Sequence, residues 1–321
     1  MKTVSARRDA GASCLYEDLS LHSIFSSEGI THDHIVTPDI DLHIPGGTAW
    51  YFAWGMHALA ASDPAPCSPY RLITAVGEED MPAVEQLRNA GVNVEVLPSQ
   101  ATVYFENKYG ANMNNRQQRV LSKAAPFTWD RLEPLLQGVE RPYFILGSLL
   151  ADDFPLDVIH RLHEIGKVVV DVQGYLREVV DEEVRATDWP QKQEALQYVD
   201  VLKTNEYEMD VLTGETDPVK AVHKLGNWGV GEVLLTLGDL GSVIYRRKED
   251  STTRIESFPP RKLVDATGCG DTYTMAYCYR RTQGASVLEA GRFAAAVASL
   301  KLERSGPFNG TVPQVQALLA K

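Results

Sequence analysis

From residue 70 onward, short apolar runs alternate with amphipathic stretches. The runs at 70–76, 143–147, 168–172, 199–202, 232–237 and 242–246 read as strands. Several are apolar throughout, the pattern of central strands covered on both faces. Between them the spacing predicts helices with visible stops: 81–90 ends at Gly91, 156–165 at Gly166 and 205–213 at Gly214. At Gly214 glycine can take the left-handed conformation that closes a helix. Such alternation implies right-handed crossovers, hence α/β class: a three-layer α/β/α sandwich with a mainly parallel central sheet. Two segments break the rhythm. Residues 39–44 and 101–121 are extended with alternating polar positions, the second interrupted at 110–115 like a long hairpin. A small β lid, with segments near 34–45 and 99–122, over the mouth of the α/β domain accounts for both.

The chain has 321 residues, 44% of them hydrophobic, enough for a substantial core in one main domain. Residues 1–21 read as a polar N-terminal extension and 22–321 as the domain. A formal net charge of −12 argues against a nucleic-acid surface, which needs clustered Lys and Arg, but not against a single nucleotide. Cys14, Cys67, Cys269 and Cys278 are not paired at metal-ligand spacing. No apolar run reaches the ~18 residues of a membrane span, and the N-terminus shows no signal-peptide apolar region. The expectation is a cytoplasmic protein with reduced thiols and no membrane partner.

The strongest chemical signal is Asp265-Ala-Thr-Gly-Cys-Gly-Asp271, followed by a helical stretch at 272–281. Glycines one residue apart let backbone N–H groups converge at a helix N-terminus, where unpaired donors and the helix dipole together hold an anion. An aspartate closing that turn is placed to take a proton from a hydroxyl attacking a held phosphoryl group. The plain alternative is a glycine-rich loop with Asp271 as an N-cap.

This segment resembles the second signature of the PfkB, or ribokinase-like, carbohydrate kinases, Asp-Thr-x-Gly-Ala-Gly-Asp, with Ala266 for the Thr and Cys269 for the Ala. The resemblance implies Asp271 as catalytic base and Gly268, Cys269 and Gly270 as anion-hole donors. Further similarities follow in family order. Asn205-Glu-Tyr-Glu208 resembles the Asn-x-x-Glu motif near Mg²⁺ and the triphosphate, implying Glu208 as the metal-side carboxylate; alone it is also an ordinary capped helix start. Thr236-Leu-Gly-Asp-Leu-Gly241 is similar to the Thr-x-Gly-x-x-Gly loop against the nucleotide, implying Thr236, Gly238 and Gly241, though a plain turn reads the same. The alanine-rich helix after the capping box Ser286-Val-Leu-Glu289 would flank adenine, or serve as core.

On the acceptor side, Pro45-Gly46-Gly47-Thr48 resembles the first signature, where Gly46 and Gly47 let the backbone approach the acceptor, and Asp33 falls where the family binds substrate hydroxyls. Two departures stand out: Glu28 replaces the usual Gly five residues before that Asp, and Tyr51 replaces a sugar-binding Asn. Residues 102–110 and 171–175 look like segments of the branch that includes bacterial myo-inositol kinases. Asp33, Glu106, Asn107, Lys108 and Gln173 are then the groups available to a polyol ring, unless 106–108 is a solvated lid face.

The resemblance implies ATP and Mg²⁺, leaves a monovalent cation as a further candidate cofactor, and makes a homodimer a candidate assembly. The leading expectation is transfer of the γ-phosphoryl group to a hydroxyl of a sugar, inositol or related polyol. A nucleoside kinase is the alternative on the same scaffold, and a non-catalytic ligand sensor the alternative of another class. His160 and His163 have helical metal-like spacing without a third ligand and read as a surface helix.

Overall fold

In the strand Lys167–Asp171, Val168 and Val170 enter one apolar cluster while Val169 between them enters another. Val233, Leu234 and Leu235 divide in the same way. Successive strand side chains point to opposite faces, so this division means helices on both sides of one sheet. The computed structural model describes residues 23–39, 41–65, 69–109, 116–139 and 141–321. The expected extension at 1–21 and the break at 110–115 lie outside the described residues, as do Cys14 and Cys67.

The strands are β1 (Ile24–Glu28), β2 (Thr31–Val36), β3 (Asp41–Gly46), β4 (Tyr70–Val76), β5 (Asn93–Pro98), β6 (Val103–Tyr109), β7 (Arg116–Ser122) and β8 (Tyr143–Gly147). There follow β9 (Lys167–Asp171), β10 (Arg177–Val180), β11 (Glu183–Ala186), β12 (Val201–Asn205), β13 (Glu232–Thr236), β14 (Ser242–Arg246) and β15 (Ser251–Ile255). The helices are α1 (Gly47–Ser62), α2 (Met81–Asn89), α3 (Trp129–Leu132), α4 (Leu156–Ile165) and α5 (Lys192–Ala195). The rest are α6 (Glu206–Thr213), α7 (Pro218–Asn227), α8 (Cys269–Thr282), α9 (Val287–Leu302) and α10 (Val312–Leu319).

Nine strands form the central sheet in the order β15-β14-β13-β12-β9-β8-β1-β4-β5. All neighbours from β13 to β5 pair in parallel, and β14 and β15 complete the edge antiparallel. Helices α4, α6 and α7 cover one face through Val158, Leu162, Met209, Leu212, Val222 and Leu225. Helices α1, α8, α9 and α10 cover the other through Phe52, Met56, Met275, Phe293, Val297 and Val315. The result is the three-layer α/β/α sandwich expected from the sequence. β5 and β15 are edge strands with polar alternation, which is why their sequences do not stand out as apolar runs.

A second sheet, β10-β11-β7-β6-β2-β3, stands over the mouth of the first. It is larger than the lid expected from the sequence, starting at Thr31 rather than near 34 and gaining β10 and β11. Those two short strands carry Arg177, Glu178, Glu183 and Arg185, and too few apolar positions to show a period. Among the described residues no helix is long and apolar enough to cross a membrane.

Two features aim the structure at one place. The parallel strands end on a common edge, the crevice where open α/β sheets bind ligands. Helices α1 and α8 pack against each other, the Met275 side chain of α8 filling the space above Gly55 of α1. At this edge Glu28, the last residue of β1, is wholly buried, and neither carboxyl oxygen has a hydrogen-bond partner among the described residues. Burial, with smaller contributions from Asp271 and Asp171, raises its pKa well above the ordinary carboxylate value.

A raised folded-state pKa gives stability that is full below the unfolded pKa and is lost as pH rises toward the folded one. Glu28→Gln, which removes that ionisation, should therefore gain on the wild type as pH increases from about 4.5 to 8, with a slope of at most about 1.4 kcal/mol per pH unit. Melting temperatures of both proteins across this range check it. A difference independent of pH, or one that grows toward acid, would mean that Glu28 does not fold protonated.

Candidate active site

The loop before α8 is braced from behind. Lys301 of α9 is fully buried, and its ammonium donates to the Asp265 carbonyl at 2.9 Å and lies 3.4 Å from the Asp265 carboxylate. Asp265 Oδ1 in turn accepts from the Thr267 N–H at 2.9 Å. Gly268 then turns the chain into α8 at φ +70°, with the Tyr51 ring so close that a Cβ would not fit. Of the three expected donors, Cys269 is the correction: its N–H closes the turn onto the Ala266 carbonyl at 3.1 Å. The N–H groups of Gly268, Gly270 and Asp271 have no acceptor among the described residues. They sit at the start of a 14-residue helix, so unpaired donors and helix dipole coincide. The Cys269 thiol is pushed up by burial, against any role as a nucleophile.

Beneath this turn lies a cluster of buried charges. A Cβ on Gly270 would stand 2.9 Å from Lys203 Nζ, so the ammonium lies directly under the anion-binding backbone. Lys203 is 4% exposed and pairs with Asp171 at 3.0 Å, with Glu208 at 3.9 Å. Burial opposes its charge, but Asp171, Glu208 and Asp271 outweigh that and hold its pKa well above the usual range. Asp271 is pushed up to about 6, first by burial and then by Asp171, while Lys203, a hydrogen bond from Thr48 and Arg177 pull the other way. A carboxyl poised there is mostly ionised at neutral pH yet basic enough to take a proton.

Asn205, Gly238, Gly241, Thr236, Gln173, Asp33, Gly47 and Asn107 all line one cleft of about 630 Å³ with Gly268, Cys269, Gly270 and Asp271. Gly46 does not line it: it backs Asp33, whose carboxylate packs where a Gly46 Cβ would be. Gly47, at φ +80°, has the Gly29 carbonyl in that place. Asp33 Oδ1 accepts from the Thr31 hydroxyl at 2.7 Å, which aims the carboxylate. Strand alternation puts Thr31, Asp33, Ile35, Phe105, Asn107 and Gln118 on the inner face of the lid. Asn107 Oδ1 accepts from Gln118 Nε2 at 2.9 Å. Glu106 and Lys108 belong to the outer face, paired with each other at 3.0 Å, so they are not acceptor ligands.

Glu208, expected on the metal side, does not line the cleft. It is buried off the cleft wall, and its carboxylate accepts from the Asn205 N–H at 2.9 Å within a complete capping box, Asn205 Oδ1 accepting from Glu208 N–H in return. The carboxylates that do face the donor side of the cleft are Asp171 and Glu206. Lys203 and Arg177 line the cleft but fall in no motif, and Thr48 and Asp171 line it from within matched segments that gave them no role. A lysine inside the otherwise buried strand β12 was the available signal, because buried charge needs a partner and a reason.

The cleft continues past the β13–β14 turn between Ser257–Phe258 and the α9 residues Ala295, Ala298, Ser299 and Leu302, a flat, largely apolar slot. The family model of the pfkB family carbohydrate kinases matches residues 69–314. A ribokinase from Arabidopsis thaliana is 36% identical over 168 residues, 50% of this chain and 41% of that protein. A nucleoside kinase from Methanothermobacter thermautotrophicus is 35% identical over 116 residues, 36% of each. The matches thus span less than half the length of either relative. A pyrophosphate-dependent kinase in the ribokinase family, solved with a pyrophosphate analogue and myo-inositol, superposes with a TM-score of 0.78 at 26% identity, over 93% of this chain and 100% of that one. With the family model matching residues 69–314 and the fold shared over 93% of the chain, this chain belongs to the pfkB family of carbohydrate kinases.

Proposed function

We propose that this chain transfers the γ-phosphoryl group of ATP to a hydroxyl of an inositol-type polyol. The observation that carries the reading is Asp271 itself: a carboxylate poised at about 6, on the first turn of α8, beside N–H groups without acceptors and between the two halves of the cleft. The acceptor hydroxyl gives its proton to Asp271 as it attacks, while the Gly268 and Gly270 amides and the Lys203 ammonium stabilise the charge of the transferring group. Asp33, Asn107 and Gln173 supply the convergent hydrogen bonds a ring of hydroxyls needs. The slot between Phe258 and α9 favours a nucleotide donor over bare pyrophosphate, since its apolar lining of Phe258, Ala295, Ala298 and Leu302 offers an adenine a surface that pyrophosphate would not use. Mg²⁺ would neutralise donor phosphate charge, and Asp171 and Glu206, carboxylates lining the cleft, are the residues that would hold it. A nucleoside acceptor is the second reading, favoured by Tyr51 and Phe105, two aromatic rings on the acceptor half of the cleft.

Three measurements test this. Asp271→Asn should keep MgATP affinity and lose turnover by about 10²–10⁴-fold, the usual worth of a positioned base; near-normal turnover would remove Asp271 from the mechanism. Because only ionised Asp271 accepts the proton, wild-type kcat/KM should fall on the acid side with an apparent pKa of about 6. Asp33→Ala should raise the acceptor KM by about tenfold to a hundredfold with ATP KM unchanged, and an unchanged acceptor KM would leave Asp33 a structural residue. Wild-type turnover measured over inositols, sugars and nucleosides, each with ATP and with pyrophosphate, separates the acceptor and donor readings.

A further inference from the structure

The lid carries a second cluster of chemistry on the face turned away from the cleft. In β2, alternation sends Asp33 inward and His32 and His34 outward; in β3, Asp41 and His43 share that outer face. Antiparallel pairing sets His34 directly opposite His43. Their imidazoles stack with centroids 4.1 Å apart and planes at 8°. His34 Nε2 is 2.8 Å from Asp41 Oδ1, and one ligand atom from each of His34, Asp41 and His43 lies within 4.8 Å of the other two.

The neighbouring groups fix the ring protons where a metal site needs them. Asp80 Oδ1 accepts from His32 Nδ1 at 3.1 Å, so the lone pair of His32 is on Nε2. That nitrogen is 2.9 Å from His43 Nδ1, which must therefore donate. The lone pair of His43 is then on Nε2. Histidines that bind metals are oriented in this way, through the other ring N–H. On the far side, Glu106 Oε2 lies 3.7 Å from His34 Nδ1; when a cation takes Nε2, the single ring proton moves to Nδ1, and Glu106 is the carboxylate nearest to it. Glu106 is itself balanced by Lys108 at 3.0 Å and Arg119 at 3.1 Å.

We propose that His34, Asp41 and His43 form a transition-metal site of the Zn²⁺ class that clamps β2 to β3, with His32–Asp80 and Glu106 as its outer hydrogen-bonding partners. Imidazole lone pairs lie in the ring plane, so the two stacked rings do not converge on one ion as they stand; the His34 ring turns out of the stack as its Nε2 exchanges the Asp41 hydrogen bond for the ion. Two imidazoles and one carboxylate, completed by water, then make a tetrahedral set, and imidazole ligands select zinc-like ions over Mg²⁺ and Ca²⁺. The site is distinct from the phosphoryl-transfer cleft, whose wall includes Asp33 and none of the three histidines. Since Asp33 stands between His32 and His34, the clamp fixes the strand that aims the acceptor-side carboxylate.

The test uses the full, untagged chain stripped with a chelator and titrated with Co²⁺, then with Zn²⁺ in competition. One Co²⁺ per chain with the visible bands of tetrahedral coordination, displaced by Zn²⁺ and not by Mg²⁺, is expected. His34→Gln and His43→Gln should each weaken binding at least tenfold while metal-free melting stays at the wild-type value. His160→Gln and His163→Gln, on the exposed face of α4, serve as controls that should bind as the wild type does. Absence of stoichiometric binding, or binding undiminished in both His34→Gln and His43→Gln, overturns the proposal.

Discussion

The Lys203 ammonium sits under the first turn of α8 and holds together a group of acids that would not otherwise share so dry a space. Asp171 is 3.0 Å from it and Glu208 3.9 Å, and both they and Asp271 stabilise its charge. Removing one partner from a buried pair of this kind costs about 3–5 kcal/mol, because the remaining charge is stranded. The balance is also functional. Burial and Asp171 make Asp271 more basic, and Lys203 keeps it from becoming so basic that it would be neutral at physiological pH. One interaction therefore stabilises the strand ends and tunes the group placed to move a proton.

The rest of the architecture serves that arrangement. β9 and β12 deliver Asp171 and Lys203 from adjacent parallel strands, paired in register at Lys203 and Asp171. α1 and α8 bring Thr48 and Asp271 together at their N-termini, with Gly55 allowing the close approach. Lys301, fully buried on α9, ties down the loop that supplies the anion-binding amides. The lid closes one side of the cleft with its inner face, where Thr31, Asp33 and Ile35 of β2 and Phe105, Asn107 and Tyr109 of β6 form the wall.

Much of this was legible in the residues. The segment from Asp265 to Asp271 declares itself because only glycine permits the φ of Gly268 with a tyrosine ring against it. β4, β8 and β14 have the bounds their apolar runs predict. The illegible parts share a cause: they depend on which way a side chain turns after folding. Glu208 reads as a metal-side carboxylate, yet the capping box turns it inward. Residues 106–108 read as one polar cluster, yet the strand period divides them, leaving Asn107 alone on the cleft. Glu28 looks like an irregular position in a motif, and only the structure shows it buried behind the site. β10 and β11 are too short and too charged to carry a period at all.

The charge balance at Lys203 has signs that can be read separately. Asp171 raises the basicity of Asp271, and Lys203 lowers it. The pH dependence of kcat/KM in Asp171→Asn and in Lys203→Gln, each checked for native folding by circular dichroism, is therefore the most direct measurement. The acid limb should move to lower pH in Asp171→Asn and to higher pH in Lys203→Gln. If the limb stays at the wild-type position in both folded variants, Asp271 is not poised by this cluster, and the role given to the buried charges is wrong.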